Sequence, residues 1–198
     1  MRATGRAAGT PLPLLLILGG APGSGKTTLA LRLGEALALP VFTKDGFKES
    51  LYESLGAGDQ EASRRLGVAA LALLSDVAAR LLAAGVSVLI EANYQRGLAE
   101  ADLRPLAARA RTVLLHCGGD VETIVRRYQA RAARGERHPG HHDGAALPRL
   151  RQLLGTAAYE PLDLGVPLLR VDTTTAADYA PGFAEIVRFV RAASPAER

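Results

Sequence analysis

The stretch Gly20-Ala21-Pro22-Gly23-Ser24-Gly25-Lys26-Thr27 decides the fold. It satisfies G-x-x-x-x-G-K-[ST] in full, and its flanks are the ones that pattern requires. Ahead of it runs Leu14 to Leu18, wholly apolar and closed by Gly19 and Gly20, the profile of a central parallel strand covered on both faces. Behind it, Leu29, Leu33, Ala36 and Leu37 stand at i, i+4, i+7 and i+8, one stripe of a helix. Glycines between a strand and a helix bring successive N–H groups to phosphate oxygens with no Cβ in the way, and the helix adds its positive dipole end. Lys26 then sets a point charge on the β- and γ-phosphates, while the Thr27 hydroxyl is offered to Mg²⁺. The expected ligand is a nucleoside triphosphate, contacted by Gly20, Ala21, Pro22, Gly23, Ser24, Gly25, Lys26, Thr27 and Thr28.

Working outward, apolar strands alternate with helical patterns. Val41 to Thr43, Val86 to Ile90, Thr112 to Leu115 and Leu168 to Val171 read as further strands. Between them, Val68, Leu71, Ser75, Ala78 and Leu82 trace one face of a helix over 61–84 that Gly85 stops. A helix over 98–110 is expected to end or kink at Pro105. The next helix starts near Asp120, with Val121, Ile124, Val125 and Tyr128 on its buried side, and others follow Pro148 and Asp178. Five strands alternating with helices imply one α/β domain over 12–193, a parallel sheet with right-handed crossovers. Residues 1–11 and 194–198 read as tails. Arginines, an apolar run and small residues before Pro22 loosely imitate a signal peptide, but Pro13 interrupts the run.

Composition narrows the class. Of 198 residues, 48% are apolar and 22% charged, which excludes a disordered chain. The single Cys117 excludes a disulfide framework and fits a cytoplasmic address. No apolar run approaches the ~18–20 residues of a membrane span, so no membrane partner is expected. The net charge of +4 suits an anionic ligand and falls short of a dedicated nucleic-acid surface. The only lysines are Lys26, Lys44 and Lys48, in a chain that otherwise uses arginine. That clustering marks a site where a compact ammonium matters. The GTPase N-K-x-D and transporter L-S-G-G-Q patterns are absent, which leaves a compact kinase as the phosphate-loop class.

Three further places carry chemistry. Glu91 ends an apolar strand, where an ionised carboxylate needs a partner: Mg²⁺ and its waters, or an ion pair with Lys26 or an arginine. Arg127, Arg131 and Arg134 fall at i, i+4 and i+7, so their guanidiniums serve either developing phosphoryl charge or a solvated basic face. His138, His141, His142 and Asp143 share a loop over 135–144 without zinc spacing, which reads as a mobile lid tip hinged at Gly135 and Gly140.

Taken in order, Gly-Gly-Ala-Pro-Gly-Ser-Gly-Lys-Thr-Thr, Thr43-Lys44-Asp45, Val88 to Asn93, Arg127 to Arg131 and Val171 to Thr174 resemble the small ATP-binding kinases related to chloramphenicol phosphotransferase, zeta toxins and polynucleotide kinase. The resemblance covers roughly residues 13–192. It implies a nucleoside monophosphate kinase-like fold with sheet order 2-3-1-4-5, an arginine-bearing lid near 126–143, and ATP with Mg²⁺. It implies that Asp45 handles the proton of an attacking hydroxyl, the alternative being a helix cap, and that Arg127 and Arg131 are the lid arginines. Glu91 matches the family's metal-side acid and Thr27 its metal-side hydroxyl. Asp172 and Thr173 fall where the family places the nucleotide base. The function so implied is transfer of the γ-phosphate to a hydroxyl of a small molecule. Two other readings stay open: a regulatory module with slow hydrolysis, and a kinase of nucleic-acid 5′-hydroxyls. The acceptor pocket is expected from residues 45–60 and 92–100, with Phe42, Phe47, Tyr52 and Tyr94 either lining it or packing the core.

Overall fold

A computed structural model describes residues 11–56, 58–134, 138, 143–175 and 178–193. The strands are β1 (Leu14–Gly20), β2 (Val41–Thr43), β3 (Val88–Glu91), β4 (Arg111–Gly118) and β5 (Leu168–Asp172). They form one parallel sheet in the order β2-β3-β1-β4-β5, as expected. The helices are α1 (Lys26–Leu37), α2 (Lys44–Leu55), α3 (Gln60–Ala83), α4 (Glu100–Ala107), α5 (Val121–Ala133), α6 (Asp143–Leu154) and α7 (Phe183–Ala192).

Alternation along the central strand builds both layers. Leu15 and Ile17 of β1 face one core with Leu74, Ala78 and Leu82 of α3 and Leu103 and Leu106 of α4. Leu14, Leu16 and Leu18 face the other, with Leu29 and Leu33 of α1 and Ile186 and Val190 of α7. A strand sandwiched in this way must be apolar at every position, which is why Leu14–Gly20 shows no period of two.

Several expectations change. The buried ridge of α3 is Leu66, Ala70, Leu74, Ala78 and Leu82, whereas Val68 is exposed. The expected face was rotated because Val68, Leu71 and Ser75 line a cleft. Among the described residues this helix alone is long and apolar enough, by length and composition, to cross a membrane, although Asp76 and Arg80 interrupt its apolar run, so the expectation that no uninterrupted run reaches that length stands. Pro105 lies inside α4 without ending it, held between the buried Leu103 and Leu106. Val121 is 46% exposed, since it opens α5 ahead of the buried Thr123, Ile124, Val125 and Tyr128. Helix α6 begins before Pro148, and α7 begins five residues later than Asp178. The lid reading of 126–143 falls partly outside the described residues, as do Gly135, Gly140, His141, His142 and the two tails.

Candidate active site

At the carboxyl end of β1, next to that of β3, the backbone turns sharply into α1. Gly23 has φ +88°, and a Cβ there would stand 2.8 Å from the Ile124 carbonyl oxygen of α5. Gly25, at φ +76°, is the left-handed residue preceding α1, whose first residue is Lys26. Both positions therefore need glycine for conformation, and Gly23 for space as well.

Lys26 is buried and points back into this turn. Its Nζ donates to the Ala21 carbonyl at 3.0 Å and lies 3.8 Å from Glu91 Oε1. Thr27 Oγ1 donates to Glu91 Oε2 at 2.9 Å. Glu91 is 5% exposed, so its carboxylate is held by one ammonium and one hydroxyl at the strand mouth. A hydroxyl and a carboxylate are hard oxygen donors and suit Mg²⁺.

These groups open onto a cleft of about 800 Å³. Lys26, Thr27, Thr28, Asp45, Glu91 and Arg131 all line it, with Pro22, Gly23 and Gly25. Asp45 stands in the first turn of α2, 3.5 Å from Lys44 Nζ. The cap of that helix is Thr43, whose Oγ1 accepts from the Gly46 amide at 3.0 Å, so the capping alternative for Asp45 falls away. Lys48 is buried and donates to Ser63 Oγ of α3 at 2.8 Å.

Arg127, Asp172 and Thr173 are not among the cleft's lining residues. They form a brace behind the phosphate loop. The buried Thr173 hydroxyl is shared between the Ser24 carbonyl at 2.7 Å and the Gly118 carbonyl at 2.9 Å. Arg127 donates to the carbonyls of Thr173 and Thr174 at 2.7 and 2.9 Å. Asp172 accepts from the Thr174 amide at 2.7 Å; the Thr174 hydrogen bonds, aided by the charge of Arg127, hold its carboxyl below the usual range.

Of the aromatic candidates, Tyr94 alone lines the cleft, and burial raises its phenol far above the ordinary value. Phe42 and Phe47 stack on each other at 5.9 Å, and Tyr52 meets His138 edge-on at 4.9 Å. Three contributors escaped the sequence reading: the α3 wall, Arg149 of α6, and Tyr159. Burial raises the Tyr159 phenol, and hydrogen bonds from Asn93 and Gln95 pull it part of the way back. Position 149 follows Pro148 in a helix without a motif, so no local spacing marks it. Among the described residues, no cluster of three His, Cys, Asp or Glu side chains stands in metal-binding range.

A five-stranded parallel sheet of this order with a phosphate loop after β1 defines a P-loop kinase fold. The chain belongs to the AAA domain family, whose model matches residues 15–155. A kinase candidate from Chloroflexus aurantiacus is similar at 37% identity, with TM-score 0.82 over 91% of this chain and 98% of that one. The Mycobacterium tuberculosis APS kinase in complex with AMPPNP and APS is similar at 21% identity and TM-score 0.53, covering 93% of this chain and 98% of that one. Shikimate kinase from Bacteroides thetaiotaomicron aligns at 16% identity and TM-score 0.53, over 91% and 97%. At those lower identities the two kinases speak to the fold alone. No protein of curated function matches the chain in sequence.

Proposed function

We propose that this chain is an ATP-dependent phosphotransferase that passes the γ-phosphate to a hydroxyl of a small molecule. The observation that carries the reading is one cleft that presents the phosphate loop, the Lys26–Glu91–Thr27 group and the carboxylate of Asp45 to the same space. An acceptor oxygen beside Asp45 attacks the γ-phosphorus, its proton passes to the carboxylate, the bond to the β-phosphate oxygen breaks, and ADP leaves. Lys26 and Arg131 neutralise charge on the transferred group. Thr27 and Glu91 would hold Mg²⁺, which supplies further neutralisation of the phosphates when bound. Behind the loop, Thr173 and Arg127 keep its backbone in the turn that a triphosphate needs, and Asp172 fixes the segment that faces the base.

Transfer from ATP labelled in the γ-phosphate to a panel of hydroxyl compounds tests this. The wild type yields a labelled acceptor, and Lys26→Ala yields none. Label appearing only as free phosphate across the panel would overturn the kinase reading.

A further inference from the structure

The cleft is larger than its phosphate end needs, and its far half changes character along one helix. On α3, the cleft-facing positions begin with Gln60, Ser63 and Arg64, turn apolar at Val68 and Leu71, and end at Ser75. The polar end lies by α2, where Lys48 bonds Ser63 and Asp45 stands beside Lys44. The stretch around the start of α4 contributes Leu98, Ala99 and Leu103, together with Gln95 and Asp102. Val68 is 70% and Leu98 71% exposed, and both line the cleft. Leu71 already packs on the core. Two large aliphatic side chains left in water within one reactive cleft can be covered by what binds there, and burying each is favourable. A polyol or free sugar would leave them wet. A molecule with an apolar body would cover them while its hydroxyl reached Asp45.

Resting on the kinase reading above, we infer that the acceptor is an amphipathic alcohol, its hydroxyl at the Asp45–Lys44 end and an apolar body between Val68 and Leu98. The reaction is the same transfer: alcohol and ATP give the phosphate monoester, ADP and a proton.

Matched pairs of acceptors test this: glucose against its phenyl glycoside, and glycerol against its phenyl ether, each assayed with labelled ATP. The phenylated member is expected to have kcat/KM at least about tenfold higher, the factor expected from desolvating one aliphatic side chain. Val68→Ser and Leu98→Ser are expected to erase most of that advantage. Leu73→Ser, on α3 but outside the cleft, is expected to keep it. Preference for the parent polyol, no transfer to any phenylated compound, or an unchanged preference in both cleft variants would overturn the inference. So would variants that change only the oligomeric state, since the two side chains would then belong to an interface between copies. Calorimetric binding of AMPPNP to the wild type separates the two readings: its absence fails the kinase reading, whereas binding together with transfer to glucose alone fails only the amphipathic acceptor.

Discussion

At the scale of single residues, the site works by surrounding one buried carboxylate with groups that tolerate its charge. Glu91 is held by Lys26 and Thr27, whereas Asp45 has a side chain 40% exposed at the cleft. On the proposed kinase reading the two acids take different tasks: one sits in a fixed cationic surrounding, the other meets a substrate hydroxyl. Asp45→Asn is expected to retain nucleotide binding by calorimetry and to lose at least ~10²-fold in kcat, the usual weight of general-base assistance. Unchanged turnover would remove Asp45 from the mechanism. A second residue carries a pH effect outside the chemistry. His116 of β4 is buried, and its imidazole is pushed down to about 4, first by burial and then by the positive charge of Arg170. The unfolded chain takes up a proton at ~6.5 that the fold refuses until about 4, so stability rises with pH across that window. This group costs at most about 3 kcal/mol at the acid end and nothing above pH ~7. Urea denaturation of wild type and His116→Gln at pH 7, 5 and 4 checks it: the wild type loses more stability on acidification than the variant.

Between residue and fold stand the elements, and here the sequence was uneven in what it disclosed. Strand β1, the phosphate loop and α1 were readable because their apolar run, glycines and stripe are local features with one physical solution. The start of α5 near Asp120 was readable as well, and the structure shows why it falls there: the Asp120 carboxylate accepts from the Thr123 amide at 2.8 Å. The α3 face was not, because one helix serves two apolar environments. Its Leu66–Leu82 ridge fills the core while Val68 and Leu71 wall the cleft, so a single-stripe search averages the two. Arg149 and Tyr159 reach the cleft only through tertiary packing, which leaves no spacing to find. Helix α2 begins at Lys44 immediately after β2, and that abrupt start depends on Thr43. The same residue closes the strand and caps the helix that carries Asp45, so it fixes where the carboxylate emerges. Thr43→Ala is expected to cost about 1 kcal/mol of stability, and Thr43→Ser to recover most of it, by equilibrium unfolding in urea. Equal stability of all three proteins would show that packing on α3, not the cap, sets the start of α2.

On the scale of the whole molecule, the phosphate loop is where separate parts of the chain are tied together. Its Ser24 carbonyl is bonded by Thr173 after β5, its Gly23 rests on α5, and Lys26 and Thr27 reach across to Glu91 on β3. A triphosphate seated there touches a junction of three strands, so its binding energy adds to the stability of the fold as a unit and not to one loop. At a nucleotide concentration 100 times Kd, the gain is about 2.7 kcal/mol. For a chain of this length that corresponds to a rise in Tm of roughly 5–10 °C. ATP with Mg²⁺ is expected to give the full rise, and ATP with a chelator a smaller one, because on the proposed reading Thr27 and Glu91 would hold the ion that neutralises the phosphates. Lys26→Ala is expected to remove the rise, and its free protein is expected to melt lower as well, because the buried Glu91 carboxylate loses its ammonium. Thr173→Val tests the tie itself, since it deletes the hydroxyl shared by the Ser24 and Gly118 carbonyls while keeping the side-chain volume. Its free protein is expected to melt a few degrees lower and to show a smaller nucleotide-induced rise, read by differential scanning calorimetry. A variant that melts lower yet gains the full rise would mean that the loop holds its shape without the brace, and that nucleotide binding is local to β1 and α1.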